Sequence, residues 1–338
     1  MVNCIGEVCG PTARPTSPRG RFSLLNSTTE QSFKIGASLR GVTRIFFLGL
    51  GHMGGGMAAN LVKAGFDVDG FDPSADSLAR AVEAGVNAID PHDGYATADV
   101  VMSSLPGPTQ IAAVGLDDDG LLESVRPGST WIDLSTNDLD TARRLATHAA
   151  AEHITLIDAP VSGGPEGAAA GTLSVYIGGP TDAVQKHWPI FEAIGSNVDH
   201  LGEHGAGYVA KIAQVTLCYT QTITLIEALM LGVKGGVRPT KMLELIQKSA
   251  GSSYVADTYG PEIVAGTYDE SFSIALAAKD MRLAMEMAAS VDADLPFMAR
   301  VAERYAAAEA KYGSAAPHLL AAQVTEIANN TVFHQEES

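Results

Sequence analysis

The sequence predicts an α/β protein with an N-terminal, doubly wound Rossmann-type sheet, a long connecting helix and a C-terminal all-α domain. Short apolar runs alternate with helical segments from residue 44 to about residue 201, which is typical of βαβ units. A glycine-rich turn follows the first of these runs directly. Beyond residue 201 only helical patterns remain. A chain of 338 residues is long enough for two domains.

The predicted boundaries follow these changes of pattern. They are a disordered or targeting extension over residues 1–43, the Rossmann domain over 44–203, the interdomain helix over 204–234, the all-α domain over 235–330 and a tail over 331–338. The first segment has five basic and two acidic residues and no apolar core of a secretory signal. We therefore expect a cytoplasmic protein, or a mitochondrial matrix protein if residues 1–43 are a transit peptide.

Charge and cysteine content exclude several classes of partner and site. The net charge of −17 disfavours binding to nucleic acid and to anionic membranes. Three cysteines, two of them in the extension, cannot build a zinc or disulfide framework, so no metal is predicted. The apolar run 212–233 contains Glu227 and several Gln and Thr residues, which favours a helix buried inside a protein over a membrane span.

The individual elements are predicted from apolar runs and from the residues that interrupt them. Strands are expected at 45–48, 66–71, 100–105, 130–134, 154–158 and 173–177. Helices are expected at 57–63 and 74–84 between the first strands. In the C-terminal half they are expected at 208–233, 240–248, 274–290, 296–311 and 317–329.

The glycine-rich turn predicts a dinucleotide site. It comprises Gly49, Leu50, Gly51, His52, Met53 and Gly54. A GxGxxG turn between a strand and a helix brings backbone N–H groups close to a pyrophosphate. Asp72 ends the second predicted strand, where a carboxylate would accept the ribose hydroxyls and repel a 2′-phosphate, so NAD is favoured over NADP. The alternative for Asp72 is a turn former before Pro73.

Four segments together resemble the β-hydroxyacid dehydrogenase family over about residues 44–330. They are the run 47–61 around the glycine turn, the run 158–164 (DAPVSGG), the run 205–211 (GAGYVAK), and Phe272 with Lys279 and Asp280. The family includes 3-hydroxyisobutyrate dehydrogenase, tartronate semialdehyde reductase and glyoxylate reductases. The resemblance implies an NAD-dependent dehydrogenase of a small β-hydroxy acid.

Lys211 is the candidate acid/base, and the family resemblance implies the same role. It is the first charge on the long helix, and seven uncharged residues follow it. Partial burial near a helix N-terminus disfavours the ammonium form and lowers its pKa, as a group that exchanges protons near neutrality requires. The alternative is a lysine that extends from the helix start to solvent.

The substrate site is predicted at a second glycine turn. Ser162, Gly163 and Gly164 offer a hydroxyl and backbone N–H groups to a carboxylate, although an ordinary turn after a strand would have the same composition. The family usually has Asn three and four residues beyond the catalytic lysine, where this chain has Gln214 and Val215. Gln214 could replace one amide, whereas Val215 cannot form a hydrogen bond.

The nicotinamide half of the crevice is implied by the resemblance together with the expected sheet. Leu105 and Pro106 end one predicted strand, and Ser135 and Thr136 end the next. Lys279 would reach back from the all-α domain to close the site. The alternative for Lys279 is a solvated lysine paired with its neighbour, Asp280.

Two other functions fit the same sequence. One is an NADPH-dependent aldehyde-acid or imine reductase of the same fold, although Lys211 argues against the imine reductases, which replace this lysine. The other is a non-catalytic dinucleotide-binding protein, a hypothesis that Val215 supports. The apolar connecting helix and the resemblance together imply a homodimer or homotetramer.

Overall fold

A computed structural model of the chain describes residues 43–270 and 272–334. The predicted extension of residues 1–43 lies, apart from Thr43, outside the described residues. The described chain forms a parallel-dominated sheet covered by helices, followed by a helical C-terminal region. The predicted fold class is confirmed.

Nine strands form one sheet in the described part of the chain. They are β1 (Arg44–Leu48), β2 (Asp67–Phe71), β3 (Asn87–Ala88), β4 (Val100–Ser103), β5 (Thr130–Asp133), β6 (Thr155–Asp158), β7 (Val161–Ser162), β8 (Leu173–Gly178) and β9 (Gly195–Gly202). Their order is β3-β2-β1-β4-β5-β6-β8-β7, with β9 also paired to β8. The first six strands are parallel, β8 is antiparallel to β6 and β7, and β9 is parallel to β8. The order reverses at β1, which opens a crevice at the carboxyl ends of β1 and β4.

The helices alternate with the strands and then continue alone. Those of the N-terminal part are α1 (His52–Lys63), α2 (Ala75–Glu83), α3 (Pro91–Thr97), α4 (Pro108–Leu116), α5 (Leu121–Ser124), α6 (Leu139–Ala151), α7 (Gly164–Ala170) and α8 (Thr181–Ile194). The connecting helix is α9 (Ala206–Lys234). The remaining helices are α10 (Pro239–Gln247), α11 (Tyr254–Ala265), α12 (Ile274–Ser290), α13 (Pro296–Tyr312) and α14 (Ala321–Asn329), with a short 3-10 helix at His318–Leu320.

Separate cores support the two halves. Phe47 and Ile132 belong to the core on one face of the sheet, and Phe46 and Trp131 to the core on the other. Because both faces are covered, the central strands are apolar at successive positions, as expected for buried parallel strands. A third core fills the helical region and includes residues of α9.

The connecting helix α9 packs against both halves. It contacts β8 and β9 of the sheet and α10 to α14 of the helical region. Near its start, Ile212 packs with Leu283 and Met287 of α12. Among the described residues α9 is the one helix long and apolar enough to cross a membrane by length and composition, and half of its most apolar window is buried inside the protein. The contacts on both sides are those of a core helix.

The predicted helices and strands differ from the observed ones where glycine, proline or exposed side chains hide the usual sequence pattern. The first helix starts at His52, not at residue 57, so the last glycine of the turn lies inside the helix and His52 is not a loop residue. The strand β9 was missed because most of its side chains are exposed. The helix α11 was missed because Gly260 and Pro261 interrupt its pattern. Phe333, in the predicted tail, is buried, and its N–H donates to Glu326 Oε1 (2.6 Å).

Candidate active site

The glycine turn between β1 and α1 has the shape of a phosphate cradle. Gly49 has φ of +84°, which favours glycine, and its N–H donates to Phe71 O (3.0 Å). A Cβ at Gly54 would lie 1.8 Å from Gly49 O, so the helix can pack against the turn only with glycine there. A Cβ at Gly51 would meet nothing within 4 Å. Gly51 therefore borders open space at a helix N-terminus, which fits a dinucleotide pyrophosphate.

Asp72 joins the end of β2 to this turn. Its Oδ2 accepts the Leu50 N–H (2.7 Å), and its Oδ1 accepts the Ser74 N–H (2.8 Å). The carboxylate thus forms the turn that the alternative interpretation expected, and it lies beside the glycine turn, as the ribose interpretation requires. His52 is exposed and Met53 is half-buried in the first turn of α1.

The ends of β4 and β5 are tied together beside the crevice. The Leu105 N–H donates to Ser135 Oγ (2.8 Å), and Ser135 Oγ donates to Asp133 Oδ1 (2.6 Å). Ser135 is buried, whereas Thr136 is half-buried. The Ser135 hydroxyl therefore orders the strand ends themselves, and Thr136 is the more accessible hydroxyl of the pair.

The N-terminus of α9 is built around a buried carboxylate that the sequence did not single out as a site residue. Asp158 Oδ1 accepts the Gly205 N–H (2.7 Å), and its Oδ2 accepts the Tyr208 N–H (3.0 Å). Gly205 has φ of +98° and offers no side chain as a cap. A Cβ at Gly207 would lie 2.2 Å from Tyr176 O and 2.8 Å from Asp158 Oδ2. The glycines at 205 and 207 thus allow the turn and the close approach of α9 to the sheet.

Lys211 follows one turn later on α9. Its side chain is partly buried, and burial is the main cause that lowers its pKa. Lys279 lowers this pKa further, whereas Asp280 and Cys218 raise it. No hydrogen bond or ion pair of Lys211 Nζ is found within residues 43–270 and 272–334. The amine is therefore available to a bound molecule.

Lys279 connects the two halves of the chain. Its Nζ donates to Pro106 O (3.1 Å) beyond β4 and lies 3.3 Å from Asp280 Oδ1. Asp280 Oδ2 in turn accepts the Tyr219 hydroxyl (3.2 Å). Lys279 therefore pairs with Asp280, as the alternative interpretation expected, and it also contacts Pro106 beyond β4; its role in closing the site stays a prediction.

The second glycine turn begins directly after β7. Ser162 is half-buried, and Gly163 and Gly164 have φ of +134° and +67°, values that side chains rarely adopt. The turn opens α7, and Ser162 pairs with Ser174 of β8, the strand against which α9 packs. Ser162 lies four residues after Asp158, the carboxylate bonded to the start of α9.

The two residues that replace the usual amides face different ways. Gln214 is exposed, and Val215 is buried in the core of the helical region with Tyr219. Gln214 is therefore accessible to a ligand, while Val215 packs inside the protein.

A separate cluster of polar side chains lies on the outer surface. Glu123, His148 and Glu152 place one ligand atom each within 4.8 Å of one another, and His148 Nε2 lies 2.8 Å from Glu123 Oε1. The prediction that the chain has no metal site stays a prediction.

Asp133, Asp158 and Tyr208 are the residues that sequence reasoning left out of the site. Both carboxylates were visible as acidic residues that end apolar strands, a place where a charge is costly unless it is used. Tyr208 lies in the run 205–211 that carries part of the family resemblance, but its residue type suggested no role, since a tyrosine in an apolar helix is ordinary core.

Comparisons with known proteins cover nearly the whole described chain. Residues 44–202 match the model of the NAD-binding domain of 6-phosphogluconate dehydrogenase, and residues 205–325 match that of the NAD-binding domain of NADP-dependent 3-hydroxyisobutyrate dehydrogenase. A 3-hydroxyisobutyrate dehydrogenase of Pseudomonas aeruginosa is 41% identical over 75% of this chain and 88% of that enzyme. An NAD-dependent L-serine dehydrogenase of the same organism is 38% identical over the same shares.

A solved structure supports the same relationship. The 3-hydroxyisobutyrate dehydrogenase of Mycobacterium tuberculosis with L-serine superposes with a TM-score of 0.78 at 32% identity, covering 84% of this chain and 99% of that one.

Proposed function

The chain belongs to the β-hydroxyacid dehydrogenase family, and from this premise we propose that it oxidises a small β-hydroxy acid of the 3-hydroxyisobutyrate type, or reduces the matching semialdehyde, with Lys211 as general acid and base. It is an oxidoreductase that acts on an alcohol group, and its cofactor is NAD. The two family models meet directly before α9, the helix that carries Lys211.

The observation that carries the proposal is the state of the Lys211 amine. It is unpaired among the described residues, its pKa is lowered mainly by burial, and Lys279, which influences that pKa, donates to Pro106 at the crevice. A lowered pKa makes it easier for a lysine to release a proton and take it up again in the same catalytic cycle. The match to a family of alcohol-oxidising dehydrogenases suggests that the proton comes from the hydroxyl group of the substrate.

Each remaining site residue has a proposed role that its position supports. The turn of Gly49, Leu50, Gly51, His52, Met53 and Gly54 would hold the NAD pyrophosphate, with Asp72 at the ribose. Leu105, Pro106, Ser135, Thr136 and Lys279 would line the nicotinamide half. Ser162, Gly163, Gly164 and Gln214 would bind the substrate, whose carboxylate suits the positive-φ glycine turn.

These positions suggest which groups would take up and return the hydroxyl proton of the substrate. NAD, when bound, supplies the hydride acceptor for oxidation. Neutral Lys211 would take the hydroxyl proton of the substrate, and Asp280, which raises the pKa of Lys211, would stabilise the ammonium that forms. In reduction the ammonium would return the proton to the carbonyl oxygen.

Val215 is the observation that leaves a second function open, namely a dinucleotide-binding protein without catalysis.

A substrate panel tests the proposal. The purified chain is incubated with 3-hydroxyisobutyrate, L-serine and glycerate, each with NAD and with NADP, and NADH or NADPH formation is followed. We expect turnover with at least one β-hydroxy acid and a higher kcat/KM with NAD, because Asp72 opposes a 2′-phosphate. Binding of NAD without oxidation of any acid would favour the non-catalytic function, and a preference for NADP would favour the reductase.

We also propose a homodimer or homotetramer, in the cytoplasm or, if residues 1–43 are a transit peptide, in the mitochondrial matrix. The support for this assembly comes from α9. Its side chains Leu217 and Leu231 are 52% and 77% exposed. Large exposed apolar side chains on one helix are typical of a surface that another subunit covers.

A further inference from the structure

Two buried carboxylates lie side by side at the carboxyl ends of the central strands. Asp133 ends β5, Asp158 ends β6, and the two are direct partners in the parallel register. Both are fully buried. A buried carboxylate lowers stability unless hydrogen bonds compensate for its lost hydration, so the bonds that these two carboxylates accept indicate which parts of the structure they hold.

Asp158 fixes the first turn of α9. It accepts backbone N–H groups of Gly205 and Tyr208, which the helix itself leaves unpaired. His204 Nδ1 lies 2.9 Å from the same carboxylate. Its space is reserved by two glycines, since a Cβ at Gly178 or Gly207 would lie within 2.8 Å of its oxygens. The carboxylate therefore acts as the N-terminal cap that Gly205 lacks.

Asp133 fixes the same turn from the neighbouring strand. Its Oδ2 accepts the Tyr208 hydroxyl (2.7 Å), and its Oδ1 accepts the hydroxyls of Ser103 (2.7 Å) and Ser135 (2.6 Å). Ser135 in turn holds the Leu105 N–H. One carboxylate thus links the wall of the crevice at β4 and β5 to the helix that carries Lys211.

Both sets of bonds converge on Tyr208, one helical turn before Lys211. We propose that Asp158 and Asp133 are positioning residues of the reaction, which together hold the first turn of α9 and so fix the place of the Lys211 amine relative to the crevice. The strand that ends in Asp158 also leads into the turn of Ser162, so β6 sets both the lysine helix and the substrate turn. Small misplacements of a reacting group cost large factors in rate.

Two variants with matched controls test this proposal, which rests on the proposed role of Lys211. Asp158→Asn removes one of the two accepting oxygens. Its control is Glu326→Gln, because Glu326 is also buried and accepts one backbone N–H, from Phe333, and one tyrosine hydroxyl, from Tyr268, in the helical region. Tyr208→Phe deletes one hydroxyl only, and Tyr268→Phe is its control. The probes are NAD and 3-hydroxyisobutyrate.

We expect kcat to fall about 10-fold or more in Asp158→Asn and several-fold in Tyr208→Phe, while the Kd for NAD changes less than twofold. The acidic limb of the oxidative kcat/KM profile should move to higher pH, because a loosened helix admits water to the Lys211 amine and relaxes its lowered pKa. The control variants should lose thermal stability without moving kcat or the limb. If Asp158→Asn does not fold, Tyr208→Phe decides.

Unchanged kcat and pH profile in the folded variants, or equal losses in the controls, would overturn the proposal. Lys211→Ala separates this failure from that of the proposed function. If Lys211→Ala loses turnover while the two positioning variants keep it, only the positioning role is wrong. If Lys211→Ala keeps turnover, the role of Lys211 fails and the positioning role fails with it.

Discussion

At the residue scale, the proposed mechanism depends on the pKa of one amine. Lys211 lies on an apolar helix, and its lowered pKa results mainly from burial. Asp280 acts against burial and Lys279 acts with it. An oxidation needs the neutral amine, so kcat/KM should rise as pH increases through the lowered pKa, and reduction should fall over the same range.

The rise of oxidative kcat/KM with pH is the acidic limb of the pH profile. The charges of Asp280 and Lys279 should shift this limb in opposite directions. Asp280→Asn removes a charge that raises the Lys211 pKa, so the limb of oxidative kcat/KM should shift to lower pH. Lys279→Met removes a charge that lowers it, so the limb should shift to higher pH. The measurement is kcat/KM for 3-hydroxyisobutyrate from about pH 6 to pH 10. Shifts in the same direction would show that the limb does not report Lys211.

At the element scale, the starts of two helices have different roles in the proposed site. The turn before α1 leaves open space at Gly51, and the turn before α9 is closed by Asp158. The proposed ligand would therefore meet the N–H groups at the start of the first helix, while at the second helix the N–H groups of Gly205 and Tyr208 donate to Asp158.

Two glycines of the first turn should respond differently to alanine. Gly51→Ala meets no protein atom within 4 Å, so stability should change by less than about 1 kcal/mol, while NAD binding weakens about tenfold or more. Gly54→Ala would overlap Gly49 O and should lower stability by about 1–3 kcal/mol. Thermal denaturation and NAD titration measure the two effects. If Gly51→Ala binds NAD as tightly as the wild-type protein, the pyrophosphate does not bind at this turn.

Elements were predictable from sequence where burial and pattern agree. The central strands and α12, which begins at Ile274 and ends at Ser290 as expected, are apolar at the positions that packing requires. The first helix was predicted too short because three of the first five residues of α1 are glycines, whose low helix propensity is overridden by packing against the sheet. The partners of Asp158 could not be foreseen, because Gly205 and Tyr208 are about fifty residues away in sequence.

At the scale of the whole molecule, the two halves meet along α9 and at Lys279. The amine of Lys279, on α12, donates to Pro106 O beyond β4, so a side chain of the helical region contacts the Rossmann half beside the crevice. Sequence alone placed Lys279 near the site by resemblance but could not decide between its two interpretations, because the contact joins residues 173 positions apart.

The exposed face of α9 should mediate assembly. The chain of 35.2 kDa should run as a dimer or tetramer in light scattering at micromolar concentration. Leu231→Glu should lower the measured mass, because it places a charge in the covered surface. Leu245→Glu, at an exposed leucine of α10, is the control and should leave the mass unchanged. A monomeric wild-type chain would contradict the assembly.

The role of Lys211 as the proton-transferring group is tested most directly by Lys211→Ala, with Lys234→Ala at the other end of α9 as the control. We expect the rate of NADH formation from 3-hydroxyisobutyrate to fall about 10²-fold or more, with NAD affinity retained and with partial recovery when methylamine is added. The control should keep the wild-type rate. A Lys211→Ala protein that forms NADH at the wild-type rate would contradict the mechanism.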